Sequence, residues 1–499
     1  AVSRIEEAVE NQENILVYGD YDVDGTTSVA LMSSYLLSFY PNVATYIPDR
    51  YEEGYGISYK GIDFAEDNNF SLIIALDCGI KAIDKVAYAF KKEVDFIICD
   101  HHRPGAEIPK AKAVLDPKQE DCDYPFKELC GCGVGFKLIQ ALASKKGATI
   151  DDLVLYLDLV ATAIGADIVP IVGENRILAY HGLKVINENP RPGFEAILKQ
   201  VKKEKLTITD VVFIIAPRIN AAGRMKHGNH AVTLLCETDN NLAAEYAIDI
   251  DTYNTDRRDA DKRITIEALV QIEENKEQDR FTSVVFDENW HKGVIGIVAS
   301  RLIETYYRPT LVFTKSGEML AASARSVKGF DVYNALEKCS EYIEQFGGHK
   351  YAAGLTLKPE NYKSFKAQFE KVVEETIDPK MLIPEISIDS QISLSDITPK
   401  FYRIISQFAP FGPGNMTPVF MSEDIQDTGY GKQVGEDKTH LRFTATQHGS
   451  GKIVGIGFGL GEHIELIKNK KPFKAAYTID ENEWNGNVSL QLKLKDIKP

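Results

Sequence analysis

This sequence predicts an α/β fold over its first two hundred residues and a small β-barrel at its C-terminal end, with a helical connector between. Three observations carry that expectation. Short apolar runs alternate with helical patterns up to about residue 190, as parallel strands joined by crossover helices require. Residues 240–278 contain neither Pro nor Gly and are rich in helix formers, so one long helix is expected. Beyond Pro379 the pattern becomes short alternating strands separated by turns, which suits a barrel.

In chain order, strands are expected at 14–19, 43–47, 72–76, 95–99 and 112–115, and helices at 26–38 and 80–92. The barrel strands are expected at 384–393, 440–446, 452–459, 473–481 and 487–495. A chain of 499 residues exceeds what one core supports, so three or so domains are expected. Apolar residues at 44% and charged residues at 26% are those of a soluble globular protein. No apolar run reaches the length of a membrane span and no signal peptide opens the chain. The chain begins Ala1-Val2 rather than with Met, so an upstream segment is expected. Seven scattered cysteines without Cys-x-x-Cys spacing argue against a disulfide framework or a zinc ribbon and for a cytoplasmic location. Cys130-Gly131-Cys132 is read as structural. The net charge of −16 disfavours coating of nucleic acid by bulk attraction, while leaving room for a local basic groove and for acids gathered around a cation.

The densest chemistry lies at strand ends. "NILVYGD", "SLIIALD" and "VDFIICD" stop on Asp20, Asp77 and Asp100, and the last continues into His101 and His102. In an open parallel sheet ligands bind beyond the carboxyl ends of the strands. One such acid is an ordinary helix cap; three in register, one with two histidines attached, point to a metal cradle. "GDYDVDGTTS" adds Asp22 and Asp24 at alternate positions before a helix. Alternating acids also suit a calcium loop, but the bidentate Glu such a loop needs is replaced by an apolar helix. In "LYLDLVATAIGADIVP" Asp158 falls within an apolar helical stretch, where an unpaired carboxylate is costly and a cation is the natural partner. Asp167, ahead of Pro170, reads as a cap or turn residue.

The ordered set GDYDVDG, LDCG, DHH and DLVATAIGADIVP resembles the four motifs of the DHH phosphoesterase family. "APRINAAGRM" (216–225), "WHKGVIGIVASRL" (290–302), "SARS" (323–326), "FGGHKYAAG" (346–354) and "FAPFGPGNMTPVF" (408–420) resemble one branch of it, the RecJ-type single-strand exonucleases. The resemblance implies a parallel-sheet DHH catalytic domain (1–190), a helical connector carrying a substrate motif (191–275), a smaller α/β DHHA1 domain (276–378) and an OB-like β-barrel (379–499). It implies a two-metal hydrolase, using Mn²⁺ or Mg²⁺, that degrades single-stranded DNA 5′ to 3′ to mononucleotides in recombination and repair. A single-strand-binding protein and a helicase are the partners it implies, with the enzyme itself a monomer.

Oxygen ligands with one imidazole suit Mn²⁺ or Mg²⁺. Asp77 is the bridging candidate; Asp22, Asp24, His101 and Asp158 complete the two shells, with Asp20 a further ligand candidate. Family members often carry a His in the first motif and Asp20 is expected to play a related part here, so the division of ligands between the metals stays open. His102 either faces the phosphate as donor or acid, or orients His101. Substrate contacts are expected from Arg50, Arg218, Asn220, Arg224, Ser323, Arg325 and His349, since guanidinium groups bind phosphate in a forked geometry; each Arg taken alone is equally an ordinary surface salt-bridge residue. Two other classes compete. A phosphodiesterase for short oligonucleotides or cyclic dinucleotides is disfavoured by the extra barrel, which suits a long strand. A scaffold that has lost its metals is disfavoured because every acid and histidine of the set is present.

Overall fold

The computed structural model describes residues 1–499 apart from 202, 204, 449, 470 and 485, and apart from the side chain of 484. The chain forms two compact units, Ala1–Val169 with Gly173–Pro384, and Pro170–Val172 with Glu385–Pro499. Among the described residues no helix is long and apolar enough to cross a membrane.

The first unit opens with β1 (Asn14–Gly19), β2 (Val43–Tyr46), β3 (Phe70–Leu76), β4 (Asp95–Cys99) and β5 (Ala113–Leu115), in the order β2-β1-β3-β4-β5. Every pairing is parallel. The central strands read as unbroken apolar runs because helices cover both faces; Ile73, Ile74, Ile97 and Ile98 are wholly buried. In this doubly wound order the direction of winding reverses between β1 and β3, and a ligand crevice opens beyond their carboxyl ends. Those ends carry Asp20 and Asp77.

The same unit contains a second sheet: β6 (Ser283–Phe286), β7 (Thr310–Ser316), β8 (Met319–Arg325), β9 (Gln345–His349) and β10 (Ala352–Leu357), in the order β6-β7-β8-β10-β9. Only β6–β7 is parallel. Its core joins Leu311, Phe313, Leu355 and Leu357 to Phe365 and Phe369 of the helix Tyr362–Thr376. The long helix spans Asn240–Glu274 and is capped by Asp239, whose side chain accepts from the backbone N–H groups of Asn241 and Leu242. Ala243, Ala247 and Ile250 are buried at one end, Ile264, Ala268 and Ile272 at the other. Between them lie the buried polar residues Asn254, Arg257 and Asp261.

The second unit is built from β11 (Ser390–Gln391), β12 (Phe420–Asp427), β13 (Lys432–Val434), β14 (His440–Thr446), β15 (Ile453–Gly457), β16 (Phe473–Trp484) and β17 (Asn487–Lys498). Pairing of β12 with β14 closes the ring β12-β14-β15-β17-β16. Counted along the ring in chain order, the strands run 1-2-3-5-4, with the third and fifth parallel, the topology of an OB barrel. The strand expected at 384–393 shrinks to Ser390–Gln391, since Ile386 and Ile388 are exposed and only these two residues pair with β12. The strand β12 was not foreseen.

Candidate metal centre and its basic neighbours

At the end of β3 the backbone of Asp77 turns into the left-handed region (φ +59°), a conformation that costs a non-glycine residue about 1 kcal/mol or more. The turn brings Asp77 Oδ1 to 3.2 Å from His101 Nε2, at the end of β4. Asp167 Oδ2 lies 3.5 Å and Asp24 Oδ2 3.8 Å from the same nitrogen. Two overlapping triads result, Asp24–His101–Asp167 and Asp77–His101–His102, each with donor atoms close enough to share a cation. Asp77 Oδ1, His101 Nε2 and Asp20 Oδ2 are buried without a hydrogen-bond partner among the described groups. Buried polar atoms are rarely left so, and a hard divalent cation would satisfy Asp77 Oδ1 and His101 Nε2, which belong to one triad.

Backbone donors hold part of the cradle. Asp22 caps the helix Val23–Leu37 by accepting from Gly25 N–H. The carboxylate of Asp24 accepts from Gly131 N–H and Cys132 N–H, both at 2.7 Å, at the start of the helix Gly131–Lys145. Free N–H groups at a helix start favour an anion. Gly131 cannot carry a side chain, because a Cβ there would stand 2.5 Å from Asp77 Cβ and 2.7 Å from its Cα.

Crowding of acids away from water shapes the charges. Burial and the neighbouring Asp22 push Asp24 up to about 7. Burial, Asp24 and Asp22 push Asp167 up to about 8. Burial and Asp22 raise Asp20; burial with Asp24, Asp22 and Asp167 raises Asp77. Burial and the adjacent His102 bring His101 down to about 3, so its imidazole is neutral and ready to ligate. His102 differs: burial opposes its charge, but Asp100 raises its pKa, through a hydrogen bond of 2.7 Å to Nδ1. Burial likewise opposes ionisation of Asp100, yet His102 and the backbone N–H of Ile80 bring it to about 2.

A cluster of cations lies beside the acids in the same unit. Arg50 stacks on the face of Tyr21, 4.5 Å from the ring centre. Arg224 donates to the carbonyl of Gly293 at 2.7 Å, and Tyr51 O–H donates to the carbonyl of Arg224. Arg325 donates to Ser323 Oγ at 3.1 Å. Burial, with Arg50, Arg325 and Arg257 close by, brings Arg224 down to about 10; burial and Arg50 lower Arg325. Mutually repelling guanidinium groups are stable when an anion sits among them. The register of the second sheet sets Arg325, Ala352 and His349 abreast on β8, β10 and β9, and Ser323, Gly354 and Gly347 abreast beside them. His349 thus stands about two strand spacings, ~10 Å, from Arg325, across a lane of small residues.

Models of the DHH family N-terminal domain match residues 14–164, of the DHHA1 domain 278–375 and of the RecJ OB domain 388–496. The single-stranded-DNA-specific exonuclease RecJ of Escherichia coli K12 is 33% identical over the whole chain, which spans 91% of that relative. The chain belongs to the RecJ family. The Bacillus subtilis RecJ is 36% identical over 99% of the chain, which spans 62% of that longer relative. The structure of Thermus thermophilus RecJ in complex with Mn²⁺ superimposes with a TM-score of 0.86 at 26% identity, covering 100% of this chain and 71% of that one.

Within this member of the RecJ family, the structure brings Asp20, Asp22, Asp24, Asp77, His101 and His102 to one edge of the parallel sheet. It does not bring Asp158 there. That carboxylate is buried against Arg191, with Nε and Nη2 each 2.7 Å from its oxygens. The partner that a buried acid demands is a cation from the chain itself, and Asp167 occupies the place expected of Asp158. Arg218 is likewise diverted: it pairs with Asp251 at 2.9 Å and donates to the carbonyl of Ile214. Arg218 and Arg224 are six residues apart on the helix Ala216–Met225, hence about 120° apart around its axis, and cannot both face the cluster. Half-buried Asn220 shares the face of Arg224. His102 makes its hydrogen bonds to Asp100 and Tyr55 rather than to His101. Sequence reasoning missed Asp167, Tyr55, Arg257 and the Gly131–Cys132 amides. Asp167 carried a signal, as the second acid of its motif. The amides carried none beyond Cys-Gly-Cys opening a helix.

Proposed function

We propose that the chain is a metal-dependent exonuclease that degrades single-stranded DNA from the 5′ end to mononucleotides, and that two divalent ions, Mn²⁺ or Mg²⁺, occupy the acidic cradle. The observation that carries this reading is the juxtaposition, in one unit, of the Asp24–Asp77–His101–Asp167 cluster with the guanidinium groups of Arg224 and Arg325, whose hydrogen-bond partners among the described residues are neutral: the carbonyls of Gly293 and Ala324 and the Ser323 hydroxyl. Carboxylate oxygens with imidazole suit these hard ions. Asp77 is the bridging candidate, with Asp20, Asp22, Asp24, His101 and Asp167 around it. The ions would supply an activated water and neutralise charge on the phosphoryl group. Arg50, Arg224, Arg325 and Ser323 would hold the terminal 5′-phosphate, with Asn220 and His349 along the strand.

The division of labour follows the expected domains. Residues 1–190 perform the chemistry, 191–275 and 276–378 hold the strand end, and 379–499 bind the trailing strand. On the barrel, Lys432 and Arg442 are cross-strand partners, and exposed Tyr430 and Phe458, the latter packed on His440, offer faces for bases. A cytoplasmic monomer acting in recombination and repair with a single-strand-binding protein and a helicase completes the proposal. Digestion of single strands labelled at either end tests it: Mn²⁺ should give mononucleotides from the 5′ label first, and chelator should abolish cleavage. Release of the 3′ label first would reverse the polarity, and metal-independent cleavage would remove the cradle from the mechanism.

A further inference from the structure

We propose that Tyr55 is a further catalytic residue, its hydroxyl, placed beside His102 Nε2, donating to one non-bridging oxygen of the scissile phosphate. This rests on the phosphodiesterase reading of the site. Tyr55 lies between Gly54 (φ +82°) and Gly56 (φ +78°), conformations that glycine adopts without strain. The N–H of Gly56 is bonded to Asp20 Oδ1 at 3.2 Å, so the loop is tied to the acidic motif. The Tyr55 ring stands edge-on to both His102 and Tyr21, with centres 5.9 Å and 6.2 Å away. Its hydroxyl is 3.1 Å from His102 Nε2.

The other nitrogen of His102 faces the ionised Asp100. A carboxylate can only accept, so Nδ1 carries the hydrogen and Nε2 is the atom left for chemistry. In that tautomer Nε2 carries no hydrogen, so the Tyr55 hydroxyl is the donor of the pair. A purely structural phenol looks different. Tyr18, wholly buried, donates to the carbonyl of Gly56 at 2.9 Å. Tyr55 keeps 52% of its surface exposed and makes its hydrogen bond to a side chain of the site. A phenol keeps its hydrogen at neutral pH, so Tyr55 is a donor. On arrival of substrate, the Tyr55 O–H leaves His102 Nε2 for the phosphoryl oxygen, a bond that strengthens as charge builds there.

The test is Tyr55→Phe, with steady-state kinetics in Mn²⁺ on a 5′-phosphorylated single strand. Strand binding is measured separately by fluorescence anisotropy in chelator. Loss of one such donor should lower kcat roughly ten- to a hundredfold, with KM, metal-free binding and melting temperature nearly unchanged. A second arm places a single phosphorothioate of defined configuration at the first linkage. One diastereomer should slow the wild-type enzyme, and that slowing should disappear in the variant. An unchanged kcat, or an identical sulfur effect in both enzymes, overturns the proposal. So does a loss confined to KM and strand binding, which would make Tyr55 a platform for the base. A wild-type enzyme that leaves strands uncut in Mn²⁺ would instead bring down the phosphodiesterase reading itself.

Discussion

Removing the metal ions should invert the usual effect of pH on stability, and Asp24 is where the effect can be sized. Its carboxyl is held at about 7 in the fold against an ordinary 3.8, so ionising it in the metal-free protein costs roughly 4 kcal/mol. Between those two values the folded chain binds a proton that the unfolded chain has lost, and stability therefore falls as pH rises through that interval. Asp20, Asp77 and Asp167 are raised as well and act in the same direction. Asp100, held at about 2, and His101, held at about 3, have the opposite sign; the contribution of Asp100 is lost only as pH falls below its unfolded value, and the penalty of keeping His101 neutral disappears as pH rises to its ordinary 6.5, one group against four raised carboxyls. The chelated protein should accordingly melt at a lower temperature near pH 8 than near pH 5 by calorimetry, and Mn²⁺ should restore more stability near pH 8, where no proton competes for the ligands. Asp24→Asn should shrink both the pH difference and the Mn²⁺ effect. A chelated protein as stable near pH 8 as near pH 5, or an Asn variant that keeps the full difference, would refute the linkage between these acids and the ions.

Three further outcomes follow from the same geometry. Gly131→Ala adds a Cβ at 2.5 Å from Asp77 Cβ; the helix gains up to about 1 kcal/mol, but the overpacking costs about 1–3 and falls on Asp77, so Mn²⁺-dependent turnover should drop by about a hundredfold in a folded protein. Asp158→Ala strips Arg191 of its buried partner and should cost about 3–5 kcal/mol in denaturant unfolding while leaving the Mn²⁺ affinity of the folded protein intact; a lost affinity would return Asp158 to the metal shell. Arg325→Ala removes charge-assisted bonds worth about 1.5–3 kcal/mol, so it should slow 5′-phosphorylated strands ten- to a hundredfold or so and 5′-hydroxyl strands little; equal slowing with a lower melting temperature would make Arg325 a structural residue.

The parallel sheet was readable because strands buried on both faces leave unbroken apolar runs, and those runs end on the acids that matter. The long connector helix was readable from its missing Pro and Gly. The strand at 384–393 was not: alternating Ile386 and Ile388 look like one buried face, but alternation cannot say whether a second strand exists to cover it. The same limit explains Asp158 and Asp167. A buried acid in an apolar helix correctly signals that a cation is present, yet local pattern cannot tell a bound ion from a guanidinium 33 residues away in "NPRPG". Asp167 looked like a turn residue because it is one, capping the end of the helix Leu157–Ala166, with Ile168 next to it in the left-handed region at φ +60°. For a β-branched side chain that conformation is strained, as is the φ of +59° at Asp77. Both strained residues flank the point where His101 meets its acids. Without cations this site combines crowded carboxylates, unpaired buried atoms and backbone strain, all of them costs to the metal-free fold. Ion binding offsets all three at once. The same arrangement that makes the metal-free fold costly to hold at neutral pH therefore gives the cradle its pull on a divalent ion, and Asp24, joined both to the Gly131–Cys132 amides and to the His101 cluster, couples the two.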